Sequence, residues 1–393
     1  MPWKECDVRE ERFRFIEDWR SDDFSMAELC RHYGVSRAIG YKWVERYEGG
    51  GLDALGNQSR APHRHPNQLS GQIEELVIAL RAQHPSWGAP KIRARIARDH
   101  TELALPAESS IGAVLQRHGL TVPRKKRSLS RPSTEPLVQA GSANEVWSAD
   151  FKGWFYAGDG TRIDPLTITD NYSRYLFRCQ SVNAADTAHS KPVFEAAFRE
   201  FGLPRRIRTD NGAPFGSNGE TGLTALSAWW IQLGIVPERI EAGKPEQNGR
   251  HERMHRTLKQ ETASPPAANR RRQQERFDRF RKEYNEDRPH QALGQKPPDC
   301  FYQPSPRRYP ERLRPAEYPS GWQVRRISPG GQMRWSARSV FVSHALAGDA
   351  VGLEPIGEAL WRVWFHFYEA GIFHESTLRL RRPSPSPPAK DIL

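Results

Sequence analysis

Val146-Trp-Ser-Ala-Asp150-Phe151 reads as a strand, and with it the chain changes period. Before this stretch the apolar residues recur at helical spacing; after it strands and helices alternate. Leu166-Thr-Ile-Thr-Asp170 and Tyr175-Leu-Phe-Arg-Cys179 continue as strands beyond a turn at Gly158-Asp-Gly160. Residues 184–201 carry Val193, Phe194, Ala197 and Phe198 at helical spacing. Arg206-Ile-Arg-Thr-Asp210 is a short strand closed by the turn dipeptide Asn211-Gly212. Residues 223–233 read as a helix, 235–240 as a short strand and 245–262 as a polar helix. The order βββαβαβα over 143–302 predicts an α/β core, a mixed five-stranded sheet flanked by helices.

Towards the N-terminus the pattern is all-α. In residues 1–62, Phe13, Ile16 and Trp19 mark one amphipathic helix, and Ser25 with Glu28 forms a capping-box pair for a second. Gly34 suits a helix stop, and Ser36 can cap a third helix with an apolar stripe of Ile39, Trp43, Val44 and Tyr47. Helix, short glycine turn, helix is the helix-turn-helix signature. Its second helix offers Arg37, Gly40, Tyr41 and Lys42 near its N-terminal end, where such helices meet base edges.

Residues 66–125 repeat the theme. Ile73, Leu76, Val77 and Leu80 share a face, Pro85–Pro90 opens a helix with Ile92 and Ile96, and Ser109/Ser110 precede Ile111, Val114, Leu115 and Gly119. A second helix-turn-helix or winged-helix unit is expected. No carboxylate occurs between Glu108 and Glu135, while Arg124, Lys125, Lys126 and Arg127 crowd together. Uncompensated cations repel one another unless phosphates neutralise them, so these four are candidate DNA contacts leading into a basic linker, 126–142. Towards the C-terminus, 318–382 is strand-rich and predicts a small β-barrel filled by Trp361, Trp364 and Phe367; 383–393 is a Pro/Ser-rich tail.

Composition narrows the function classes. Of 393 residues 37% are apolar, enough for packed cores and too many for wholesale disorder. The 59 lysines and arginines exceed the 47 acids by a net charge of +12, which favours a polyanionic partner. No window approaches the length of a membrane span, and the opening residues lack the apolar core of a secretory signal. The cysteines, Cys6, Cys30, Cys179 and Cys300, lie far apart with no C-x-x-C. A reducing cytoplasmic setting, alongside the nucleoid, is expected, with neither disulfide framework nor cysteine zinc site.

Three acids stand out by context. Asp150 lies in the first core strand, Asp210 at the end of a later one, and Glu252 on the polar helix. Ligand-binding groups of open sheets gather at strand ends, and a helix packed across that edge can deliver a third carboxylate. Three such charges need cations; oxygen ligands suit Mg²⁺ or Mn²⁺, and two ions can clamp the attacking and leaving oxygens of a phosphodiester. On the same helix His255, Arg256 and Lys259 follow at helical spacing, so they and Asn248 are candidate DNA-backbone contacts. His251-Glu252-Arg-Met-His255 also spells the zinc-protease pattern, but Arg250, Arg253 and Arg256 oppose a cation there, and that chemistry has no use for Asp150 or Asp210. Asp170 reads as structural, Trp229 and Trp230 as core or interface, and Arg270–Arg272 as a solvated face or a DNA track.

Trp147-Ser-Ala-Asp150, Thr209-Asp210-Asn211-Gly212-Ala-Pro-Phe215 and Gly243–Lys259 together resemble the three catalytic blocks of Asp-Asp-Glu insertion-sequence transposases with a retroviral-integrase-type core. The resemblance implies an RNase H-like fold for 143–302 and metal ligation by Asp150, Asp210 and Glu252. It also implies Mg²⁺ (or Mn²⁺) dependence with two ions per site, DNA cleavage and strand transfer, and a homo-oligomer assembled on double-stranded element ends and target DNA. The stretch 211–251 is longer than in many members, and an insertion around Gly216–Gly222 would absorb the difference. The alternatives are a helix-turn-helix DNA-binding protein with a catalytically inactive core, and an RNase H-like nuclease without joining activity.

Overall fold

The computed structural model describes residues 7–57, 59, 69–121, 137–241 and 244–382. The basic run Arg124, Lys125, Lys126 and Arg127 and the tail 383–393 lie outside the described residues. The chain divides into two compact units, Met1–Gln68 and Leu69–Leu393.

The first unit has three helices, α1 (Val8–Arg20), α2 (Met26–His32) and α3 (Arg37–Gly50), and a 3-10 turn, Gly51–Leu55. Local chemistry sets the boundaries. Ser25 and Glu28 exchange the two bonds of a capping box, Ser36 accepts from the Ile39 amide, and Gly34 makes the α2–α3 turn at φ +63°. Phe15, Ile16, Leu29, Cys30, Val44 and Leu55 form the core. The expected α3 stripe needs correcting: Ile39 is exposed, and the inward position is Gly40, where a Cβ would lie 2.6 Å from the Cys30 sulfur.

The second unit opens with α4 (Gly71–Gln83), α5 (Ala89–Asp99) and α6 (Glu108–Arg117) around Val77, Trp87, Ile92, Ile96 and Ile111. The cap of α6 is the Ala107 backbone, without side-chain help; the serines expected to cap it lie inside the first turn.

The core strands are β1 (Val146–Phe151), β2 (Phe155–Tyr156), β3 (Arg162–Asp170), β4 (Leu176–Val182), β5 (Arg206–Thr209) and β6 (Val236–Arg239). The helices are α7 (Thr187–Phe201), α8 (Ala225–Gln232), α9 (Gly249–Thr262) and α10 (Arg270–Glu286). Strands β4, β3, β1, β5 and β6 lie side by side, antiparallel through β1 and parallel beyond it, as the mixed five-stranded expectation required. The two-residue β2, absent from that expectation, adds a sixth strand beside the start of β3. One face packs Trp147, Ala149, Leu166 and Ile168 against Phe194, Phe198 and Trp230 of α7 and α8. The other packs Ile163, Leu176 and Cys179 against Met254 and Leu258 of α9 and Phe277, Phe280 and Tyr284 of α10.

The C-terminal strands are β7 (Gln323–Arg326), β8 (Gln332–Trp335), β9 (Arg338–Phe341), β10 (Ala350–Gly357), β11 (Leu360–Phe365), β12 (Tyr368–His374) and β13 (Arg379–Arg381). The pairings do not show the closed barrel expected: five strands form an antiparallel sheet in the order β13-β12-β11-β10-β7, and β8 and β9 make a hairpin bridged to the end of β7 through Ile327 and Met333. The chain turns after Phe365, between β11 and β12: His366 sits at φ +52° and Phe367 is exposed, so Phe367 does not fill the interior as expected. Among the described residues no helix is long and apolar enough to cross a membrane.

Candidate active site and nucleic-acid face

Strand alternation builds one side of the site. In β1 Trp147 and Ala149 face α7 and α8, which turns Ser148 and Asp150 towards α9. In β3 Leu166 and Ile168 do the same and leave Thr167 and Thr169 on the α9 side. Strands β1 and β5 are parallel with Ser148 opposite Arg208, so Asp150 and Asp210 come two steps further along each strand, at the same edge of the sheet. Arg208 is buried in an ion pair with Glu238 at 2.6 Å and donates to the Val138 carbonyl, fixing β5 just before Asp210. The Gly212 amide donates to Asp210 at 3.2 Å.

Helix α9 closes the edge. Arg250 ties its first turn to the Asn171 carbonyl and to Gln139. Its buried stripe is His251, Met254, His255, Leu258 and Thr262, which leaves Glu252, Arg256 and Lys259 exposed. His251 Nε2 and His255 Nε2 lie 2.6 Å and 2.7 Å from the Thr167 hydroxyl, and His251 Nδ1 lies 3.1 Å from that of Thr169. His255 Nδ1 faces Asp150 Oδ2 at 3.7 Å. Burial keeps both rings neutral: it lowers His251 to about 3 and His255 well below its ordinary value.

The carboxyl of Asp150 is pushed up to about 7, first by burial, then by the negative charge of Asp210 and, further down the order, of Glu252; the Phe151 amide and Lys152 act against the rise. Burial also raises Asp210, opposed by the Gly212 amide. Asp210 and Glu252 thus act on Asp150 through their charge, while the side chains whose ligand atoms lie within 4.8 Å of one another are Asp150, His251 and His255. This donor set fits a divalent cation, whose charge would favour the ionised acids.

Of the expected DNA contacts, Arg256 and Lys259 are exposed on α9, and Arg37, Tyr41 and Lys42 are exposed on α3. Three expectations fail for steric reasons. His255 and Asn248 are almost fully buried, His255 spending Nε2 on Thr167, and Gly40 is buried under Cys30. The two histidines of the zinc-protease pattern do lie together beside Asp150, but both nitrogens of His251 are within hydrogen-bond distance of threonines and Glu252 points to the exposed face of the helix. Asp170 is buried and accepts from the Asn144 and Ser173 amides and the Ser173 hydroxyl. The buried histidines beside Asp150 escaped sequence reasoning, although alternating Thr167 and Thr169 opposite histidines four residues apart carried the signal.

The described chain thus joins a three-helix front unit and a second helical block to an acid-edged mixed sheet. Family models described as "Integrase core domain" match residues 141–245 and 233–298; "Helix-turn-helix domain" matches 11–63 and "Homeodomain-like domain" 39–115. The chain is 30% identical over 253 residues to the uncharacterized 39.2 kDa protein of insertion element IS476 of Xanthomonas euvesicatoria, a match covering 63% of this chain and 70% of that one. It is 27% identical over 284 residues to the uncharacterized 31.7 kDa protein of insertion element IS407 of Burkholderia multivorans, covering 71% and 91%. A chain of the simian T-cell lymphotropic virus intasome bound to PP2A regulatory subunit B56 gamma is 14% identical, covering 79% of this chain and 100% of that chain, with a TM-score of 0.37. The chain belongs to the insertion-sequence transposases with a retroviral-integrase-type core.

Proposed function

We propose that the protein binds the ends of its element and catalyses Mg²⁺-dependent DNA cleavage and strand transfer, with Asp150, Asp210 and Glu252 as catalytic acids and metal ligands. One observation carries this reading: the parallel register of β1 and β5 sets Asp150 and Asp210 at the same edge of the sheet, where burial and the charges of Asp210 and Glu252 raise the Asp150 carboxyl. Groups perturbed in this way gather at functional sites. Two Mg²⁺ or Mn²⁺ ions, when bound, would offset the charge building on the attacking and leaving oxygens of a phosphodiester. Asp150, Asp210 and Glu252 would be the residues that hold them.

The residues around them position DNA. Arg256 and Lys259 hold phosphates along the exposed face of α9, while Arg37, Tyr41 and Lys42 of α3 read the terminal repeat. In cleavage, a water oxygen bonds to phosphorus at the element end and the 3′ oxygen leaves. In transfer, that 3′-OH attacks a target phosphodiester in line, one P–O bond forming as another breaks. Joining two ends requires more than one subunit on DNA, in the cytoplasm where the element resides.

Asp210→Asn combined with Glu252→Gln should lower cleavage of end-containing DNA by roughly 10³-fold or more while binding survives. Undiminished cleavage rejects the assignment. Wild-type protein that binds but never nicks with Mg²⁺ is a DNA-binding protein with an idle core, and one that nicks without producing joints is a nuclease.

A further inference from the structure

The α9 histidines lie against Asp150, where the proposed carboxylate site needs no nitrogen. Hydrogen-bond accounting separates their roles. The Thr167 hydroxyl has one proton and three neighbours: His251 Nε2 at 2.6 Å, His255 Nε2 at 2.7 Å and the Asp150 carbonyl at 3.1 Å. If the proton goes to His251 or to the carbonyl, His255 must donate from Nε2, which leaves its Nδ1 a bare lone pair. If it goes to His255, the Nδ1–H points at Asp150 across 3.7 Å, beyond hydrogen-bond range, and is wasted. The arrangement that uses every donor therefore turns a lone pair towards a carboxylate oxygen.

Once Asp150 is ionised, two lone-pair atoms face each other and repel, and a shared cation makes that arrangement favourable. Two ligands each about 2.1 Å from one ion lie roughly 3–4 Å apart, which brackets the observed separation. The anchored far nitrogen has the form expected of a metal-bound histidine, whose other ring N–H is held by a fixed acceptor, here the Thr167 oxygen. His251, though close by, has both nitrogens within hydrogen-bond distance of Thr167 and Thr169, whereas His255 Nδ1 faces Asp150 alone.

We propose that His255 Nδ1 is a metal ligand beside Asp150, so that this site takes a cation accepting mixed nitrogen and oxygen donors, such as Mn²⁺, Co²⁺ or Zn²⁺, more tightly than Mg²⁺. This rests on the reading that the three acids hold divalent ions. Imidazole suits the transition ions, whereas Mg²⁺ is served by oxygen.

The test is pulsed electron paramagnetic resonance on the full chain, chelator-stripped, free of DNA and loaded with Mn²⁺ alone. The expected result is a ¹⁴N coupling from directly bound imidazole, which becomes a ¹⁵N coupling when the histidines are ¹⁵N-labelled and disappears in His255→Asn. Mg²⁺ should displace the Mn²⁺ only at about tenfold or greater excess. If His255→Asn fails to melt cooperatively, His251→Gln takes its place, and there the coupling must persist. Bound Mn²⁺ without nitrogen coupling, or coupling that survives His255→Asn, overturns this inference and leaves the carboxylate reading intact. No Mn²⁺ binding at all overturns both.

Discussion

Asp150 sits at the meeting point of chemistry and stability. Its carboxyl titrates at about 7 in the folded chain against an ordinary 3.8, so between those values the folded state binds a proton that the unfolded state releases. Stability therefore falls as pH rises from about 4 to about 7 and stays low above that. Asp150→Asn should stabilise the metal-free protein at pH 8 by about 1–3 kcal/mol. Melting curves of chelator-treated protein test this: the variant should melt higher than wild type at pH 8 and level with it below pH 4. Adding Mn²⁺ should raise the wild type and leave Asp150→Asn unmoved; a variant that melts no higher than wild type at pH 8 contradicts the account. Asp150, Asp210 and Glu252 stood out in the sequence because each lies in a short run whose neighbours are themselves distinctive, Trp147, Asn211-Gly212 and Arg250 among them. His255 was misread because its spacing from Glu252 was weighed without the rest of the stripe. Met254 and Leu258 must face the sheet, and the residues sharing their side of the helix, His251 and His255, go with them.

Elements were legible wherever period and caps agreed. Helices α2 and α3 announce themselves through Ser25, Glu28, Gly34 and Ser36, and the structure uses each as a cap or turn. Their packing depends on Gly40, which was read as a surface residue because glycine carries no hydropathy signal. Gly40→Val drives methyls into Cys30, Phe15 and Met26 and should cost about 1–3 kcal/mol, seen as a lower melting temperature of the first unit. Arg37→Ala and Lys42→Ala on the exposed face should leave that temperature alone. Each should flatten the salt dependence of end-DNA binding by about one unit of log–log slope if its side chain holds a phosphate. Equal slopes in wild type and variants would remove α3 from the contact surface. Helix α10 was missed although Gln273, Phe277, Phe280 and Tyr284 form a proper stripe, because the arginines between them dominate the composition. Barrel closure was less legible for a different reason: alternation specifies strands and faces, whereas closure depends on how the β8–β9 hairpin joins β7 and β13, which no single strand encodes.

At the scale of the whole molecule, the two ends of the chain relate differently to what lies between them. Residues Met1–Gln68 form their own compact unit with their own core. The C-terminal strands instead share a core with the integrase-like region: Leu223, Ala228 and Ile231 pack with Leu353, Val363, Phe365 and Phe373. Polar contacts reinforce that seam, with Gln232 donating to Asp349 at 3.0 Å, Tyr368 to the Thr221 carbonyl and Arg382 to the carbonyls of Ser217 and Gly219. The extra loop around Gly216–Gly222, read from sequence only as spare length between Asp210 and Glu252, is thus part of the surface that receives the C-terminal sheet. The second helical block is fastened at the opposite side, where Asp287 takes Arg95 and Arg98 at 3.1 Å and 2.9 Å and Glu261 takes Ser86 and Arg288 at 2.5 Å and 2.7 Å. Truncation should expose the asymmetry. A chain of residues 69–393 should keep the melting transition of the second unit and its metal-dependent nicking of DNA while losing preference for element ends. A chain of residues 1–317 loses the partners of Leu223, Ala228 and Ile231, and burying or exposing three such side chains shifts stability by roughly 2–5 kcal/mol. It should melt lower, bind an apolar dye and aggregate. If 1–317 instead melts as sharply and as high as the full chain, the C-terminal sheet is an independent appendage and the seam contributes nothing to the fold.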